Sequence, residues 1–152
     1  MVTSNIINDV KYYLIKECIH YIEVPVIKYS KEVQEQYKNH TVLNTASKLN
    51  LFDLEEFDKV VYIDADSFFL KTIDEIFNYP DGAMYDEGFD KGFSGLFVVC
   101  PYLHPVSYYF LLIEKLPILD GDLLGDLFFP FKFDSNYRIP TSYFLNIKRQ
   151  DF

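Results

Sequence analysis

The feature that most constrains this chain is Lys59-Val60-Val61-Tyr62-Ile63, a continuous β-branched and aromatic run that ends at Asp64-Ala65-Asp66. A run of this kind, with no polar alternation, predicts a strand buried on both faces. Leu96-Phe97-Val98-Val99-Cys100 has the same character. Around these two runs the periodicity changes. Leu14, Ile15, Cys18, Ile19 and Ile22 recur at helical spacing and predict a one-sided helix from Asn8 to Ile22. Tyr21 to Val24 reads as a short strand, which Pro25 pushes toward an edge or a break because it lacks a ladder donor. The polar stretch from Lys31 to Asn44 reads as a loop or a solvated helix, and Ala46, Leu49, Phe52 and Leu54 favour a helix ending near Phe57.

Downstream, Phe68-Phe69-Leu70 continues extended, and Thr72-Ile73-Asp74-Glu75 matches a capping box opening a short helix through Phe77. Asn78-Tyr79-Pro80-Asp81-Gly82 is turn chemistry. Pro105 to Leu116 and Asp122 to Phe129 are expected to be helical. Strands alternating with helices predict an α/β domain with a mostly parallel sheet. The 152 residues show no repeat, low-complexity tract or linker-like shift, so 1–152 reads as a single domain.

Composition narrows the partners. A hydrophobic content of 49% supplies a sizeable core, and a net charge of −9 disfavours a phosphate-backbone binder, so no nucleic acid is expected. No apolar run is long enough for a membrane span and no signal-peptide core is evident, which leaves the cytoplasm as the default compartment. Cys18 and Cys100 are too few for a disulfide scaffold and read as two buried, reduced thiols. The Asn39-His40-Thr41 sequon would matter only in a secretory compartment.

Chemistry concentrates at Asp64-Ala65-Asp66. Ligands of open α/β sheets bind beyond the carboxyl ends of the strands. Two carboxylates held there among apolar neighbours repel each other and lose hydration. A divalent cation relieves both costs, because Mg²⁺ and Mn²⁺ prefer oxygen ligands and bridge to substrate phosphates. The plainer alternative is a strand-end turn in which the aspartates cap the next element.

The segment Lys48-Leu49-Asn50-Leu51-Phe52-Asp53-Leu54, then Phe57-Asp58-Lys59-Val60-Val61-Tyr62-Ile63-Asp64-Ala65-Asp66-Ser67, then Ile73-Asp74-Glu75-Ile76-Phe77, resembles the core of glycosyltransferase family 8, the glycogenin-like enzymes. The order, spacing and flanks of the motif agree, and weaker similarity runs from Met1 to Tyr143. The resemblance implies a GT-A-like fold, a nucleotide-sugar donor (a UDP-sugar in most of the family), Mn²⁺ or Mg²⁺, a glycan or protein acceptor, and transfer with retention. By the same resemblance Asp64 and Asp66 are the metal pair, with Asp66 the more direct ligand, and Ala65 lends backbone groups to the ribose region. Lys48 falls on the lysine that faces the donor diphosphate, where the plainer reading is a helix-surface lysine. Ser94-Gly95 matches a strand start at which Gly lets the backbone approach the sugar, and Asp122 matches the aspartate that contacts the transferred sugar, a role compatible with a helix N-cap.

The chain also departs from the family. Phe93 stands where the family has Asn, and Leu123 where it has Gln. The first strand-helix unit and the His-Phe-x-Gly segment that carries a third metal ligand have no counterpart, so the resemblance implies a domain truncated at both ends. His20, His40 and His104 read as surface or packing residues instead of a substitute ligand. Two competing functions follow. VVYIDAD also resembles the first motif of haloacid-dehalogenase-like phosphatases, with Gly121-Asp122-Leu123-Leu124-Gly125-Asp126 mimicking their later acidic motif. Alternatively, the aromatic-rich fold (13 Tyr, 15 Phe) is a non-catalytic binding module whose missing strand leaves a face for a partner or a second copy to cover, a homo-oligomer in the latter case.

Overall fold

The computed structural model describes residues 1–3, 6–38, 41–65, 67–86, 92–127, 134–140, 142 and 144–146. The chain divides into two compact units, Met1–Asn50 with Val106–Leu119, and Leu51–Pro105 with Asp120–Phe152. Helices and strands mix in both, and each unit holds one parallel strand pair, so the α/β class holds. No described helix is long and apolar enough to cross a membrane.

In the first unit, β1 (Val2–Thr3) pairs in parallel with β2 (Glu23–Val24), and helix α1 (Asn8–Lys16) lies between them in sequence. This α1 is shorter than its periodicity predicts, and its apolar face is not buried: Ile15 is 62% exposed, and Ile19, beyond the end of the helix, 49%. The helix stops because Cys18 turns left-handed at φ 54°, where the N–H groups of Cys18 and Ile19 close back on the carbonyls of Ile15 and Leu14. An ion pair at 2.9 Å from Lys11 to Glu23 ties α1 to the strand pair, a contact of small energetic weight at such exposure. The core of this unit lies elsewhere. Ser30 caps α2 (Lys31–Gln36) by accepting from the Val33 N–H, and its own N–H donates to the carbonyl of Ile113 in α3 (Val106–Lys115). Tyr29, Val33, Leu49, Tyr109 and Ile113 are buried, and the Tyr29 hydroxyl is satisfied by Thr45 at 2.9 Å. The segment Thr41–Asp53 is a 3₁₀ helix, not the α-helix its spacing suggests, and Asn50 donates to the carbonyls of Pro25 and Ser47.

The second unit is built on a sheet of β3 (Val60–Ile63), β5 (Met84–Asp86), β6 (Gly92–Val99) and β7 (Arg138–Ile139) in the order β3-β6-β5-β7. Strands β3 and β5 both run antiparallel to β6, and only β5 with β7 is parallel among the described pairs of this sheet. The expectation of a mostly parallel sheet is therefore corrected. The central strand is β6, whose Leu96, Phe97, Val98 and Val99 are wholly buried as expected. Strand β3 was expected to be buried on both faces but is half-buried at all four positions, because β6 is its only strand neighbour among the described residues. A separate antiparallel pair joins β4 (Ser67–Phe69) to β8 (Phe144–Asn146). Helix α4 (Asp120–Leu127) packs on β6 through the buried Leu123 and Leu124. The capping box is not realised. The 3₁₀ turn Asp74–Asn78 has Ile73 as N-cap without a side-chain bond, and the Glu75 carboxylate lies 3.8 Å from Lys71. The turn after it is as expected, with Gly82 at φ 83° in the left-handed region that glycine tolerates.

At the amino end of β3, Lys59 Nζ donates to the carbonyls of Phe77 and Tyr79 at 2.9 Å each. On the same rim Asp81 accepts from the Cys100 N–H at 2.6 Å and pairs with His104 Nε2 at 2.9 Å, while the His104 ring meets Phe52 edge-on. Of the two thiols only Cys100 is buried; Cys18 is exposed, which corrects the expectation for it. Burial first, and the Asp81 charge second, push the Cys100 thiol above its ordinary value. The unfolded chain therefore releases this proton first as pH climbs, so the stability Cys100 contributes is full below the ordinary thiol value and is lost through the alkaline range. Iodoacetamide at about pH 8 is expected to label Cys18 and spare Cys100 in the folded protein. Mass spectrometry showing equal labelling at both would contradict this burial.

Candidate functional site

The carboxyl end of β3 is where the sequence places its chemistry, and backbone pairing explains how two distant motif segments meet there. Register pairs Ile63 with Leu96, so the next residue outward on each strand brings Asp64 beside Gly95. The Asp64 N–H donates to the Gly95 carbonyl at 2.8 Å. Asp64 is thus held by the last rung of the β3–β6 ladder, half-exposed, with Ala65 exposed after it. Residues two apart on an extended chain share a face, and the Tyr62 hydroxyl uses this to donate to Asp64 Oδ1 at 2.8 Å. The Tyr62 ring in turn stacks on Phe97, its directly opposed partner on β6, at 5.0 Å between centroids. The carboxylate is therefore oriented by a tyrosine that the buried strand holds in place. Period-two spacing before the aspartate is a sequence signal that could have found Tyr62.

Asp66 lies outside the described residues, as does the Phe128–Phe131 cluster. Immediately after it, Ser67 opens β4 with its hydroxyl buried and lacking a hydrogen-bond partner. A buried hydroxyl left unpaired costs about 1–3 kcal/mol, so this atom is a polar group suited to a ligand oxygen. Gly95 occupies the middle of β6 beside Asp64, and Ser94 precedes it in the same strand. Asp122 sits in the first turn of α4, two residues inside its start and exposed, so it is not the N-cap. Lys48 belongs to the first unit, where it is 6% exposed; the reading of it as a helix-surface lysine is overturned.

Among the described residues no three His, Cys, Asp or Glu side chains converge as a metal-holding group. Mg²⁺ is commonly held through one or two carboxylates plus substrate phosphates instead of an all-protein cage. An oriented, half-exposed aspartate fits that mode, in which hard oxygen donors take a hard cation. His104 is committed to Asp81, and His20 is exposed. Comparison of the chain with protein-family models and with curated proteins finds no match.

Proposed function

We propose that this chain is a metal-dependent, retaining glycosyltransferase domain of the GT-A type, which takes a nucleotide-sugar donor, a UDP-sugar by resemblance. The observation that carries the reading is the Asp64–Gly95 ladder bond, which unites the D-A-D segment with the Ser-Gly segment at one strand end. Asp64 and Asp66 would hold the cation, which when bound supplies Lewis-acid charge to the leaving diphosphate. The chain's own residues do the rest. The Tyr62 hydroxyl fixes the Asp64 carboxylate in one orientation, so that little reorganisation is needed when the donor arrives. Gly95, in the middle of β6, carries no side chain where the end of β3 brings Asp64 against its backbone. Asp122, on the helix packed against β6, would position sugar hydroxyls, and Ser67 would donate to a donor oxygen.

The orienting tyrosine gives the reading a specific test. Tyr62→Phe keeps the ring that stacks on Phe97 and removes only the hydroxyl bound to Asp64. It should leave the melting temperature within a few degrees and weaken Mn²⁺-dependent UDP binding by about 10-fold or more, the usual cost of losing a group that orients a metal ligand. Calorimetric titration of UDP with Mn²⁺ into both proteins measures this. Wild-type protein that binds no UDP under these conditions would reject the function itself.

A further inference from the structure

A cleft of about 450 Å³ lies in the second unit, lined by residues including Asn78, Tyr79, Pro80, Asn136 and Arg138. Its position follows from the sheet. Strands β3, β5 and β7 run in one direction, so their amino ends share a rim. Arg138 begins β7 opposite Met84, the first residue of β5, and the Tyr79 carbonyl is bound by Lys59, just before β3. Asp64 follows the last residue of β3 and so belongs to the opposite rim. The cleft is therefore separate from the site described above.

We infer that this cleft is a binding site for neutral saccharides. The volume is within the roughly 300–1,000 Å³ of small-molecule clefts. Among the described residues its lining is two asparagines, a serine and an arginine with Tyr79, Pro80 and Pro140, and holds no Leu, Ile, Val, Met, Asp or Glu. Amides donate and accept at once, which matches hydroxyl groups that do the same, and flat apolar rings suit the C–H face of a pyranose. An apolar ligand would desolvate the asparagine amides and the serine hydroxyl without pairing them. An anion would meet a chain whose net charge is −9, with Arg138 as the single cationic side chain of the described lining. Asn78, Ser135, Asn136 and Pro140 are exposed, so the cleft is open to solvent. This site is independent of the nucleotide-sugar reading.

The test uses the full chain on an array of neutral and acidic oligosaccharides, followed by calorimetry with the best neutral binder and with inorganic phosphate. Neutral oligosaccharides are expected to bind with Kd in the range of about 0.1–1 mM. The double variant Asn78→Ala/Asn136→Ala is expected to weaken that binding by about 10-fold or more while leaving the melting temperature unchanged, since both side chains are exposed. Asp64→Ala should bind the saccharide as the wild type does. No binding across the neutral set, a preference for acidic glycans or phosphate, unchanged binding in the double variant, or loss of binding in Asp64→Ala would each overturn the inference. Titration of UDP and Mn²⁺ into the same proteins reports separately on the other rim.

Discussion

Asp64→Ala is expected to lose Mn²⁺-dependent UDP binding by about 100-fold or more, and Asp66→Ala to do the same. The magnitude follows from comparison with orienting groups, whose removal costs about 10–100-fold in metal affinity; a ligand itself should cost at least the upper end of that range. The fold should tolerate the first change. Asp64 lies one residue past β3, is half-exposed, and joins the ladder through its backbone N–H, which alanine retains. Far-UV circular dichroism should therefore be unaltered while calorimetry loses the UDP signal. Donor hydrolysis or transfer should fall in parallel, because the charge that stabilises the leaving diphosphate goes with the cation. Retained Mn²⁺-dependent UDP binding in both variants would reject the metal role. Turnover of an aryl phosphate with Mg²⁺, abolished by Asp64→Asn, would instead favour the phosphatase reading, in which the first aspartate is a nucleophile.

Some of this arrangement was legible from local pattern alone. The run from Leu96 to Cys100 identified the central strand because a segment buried on both faces has no need of polar residues on either. Gly82 marked its turn because the left-handed backbone there excludes most side chains. Strand β3 misled for a related reason. Val60, Val61, Tyr62 and Ile63 are apolar enough for an interior strand, but which strands flank it is a property of topology, and β3 is at the edge of its sheet among the described residues. Periodicity in α1 revealed an apolar face without revealing whether anything packs on it, and none of its residues is buried. At Thr72 the pattern of a capping box was present, yet Glu75 lies toward Lys71 and the turn closed as 3₁₀. For the site, the two motif segments are about thirty residues apart in sequence, and only the β3–β6 register brings Asp64 to Gly95. Local propensity carries no information of that kind, which is why the resemblance was needed to single out Gly95. The burial of Lys48 was equally hidden, since a lone lysine in a helical stretch ordinarily keeps its ammonium in water.

Phe97→Ala is expected to cause the largest loss of stability of any change considered. The side chain is fully buried in the central strand and sits between two strand neighbours, opposed to Tyr62 on β3 and to Met84 on β5. Truncating a buried phenylalanine removes its transfer energy and leaves a cavity that strands on both sides hinder from collapsing, about 3–5 kcal/mol in comparable cores. The lost ring pair with Tyr62 accounts for about 0.5–1.5 kcal/mol of that figure. For a chain of this size the melting temperature should drop by about 8–16 °C. The substitution also couples stability to the site, because Tyr62 would lose the surface that holds its hydroxyl against Asp64. Mn²⁺-dependent UDP affinity is therefore expected to weaken in Phe97→Ala at temperatures where the protein remains folded, by about as much as in Tyr62→Phe. Phe97→Leu, which fills most of the volume, should recover most of the stability but not the flat ring face. A melting temperature unchanged in Phe97→Ala would contradict the packing of β6, and full UDP affinity in a folded Phe97→Ala protein would separate Tyr62 orientation from nucleotide binding.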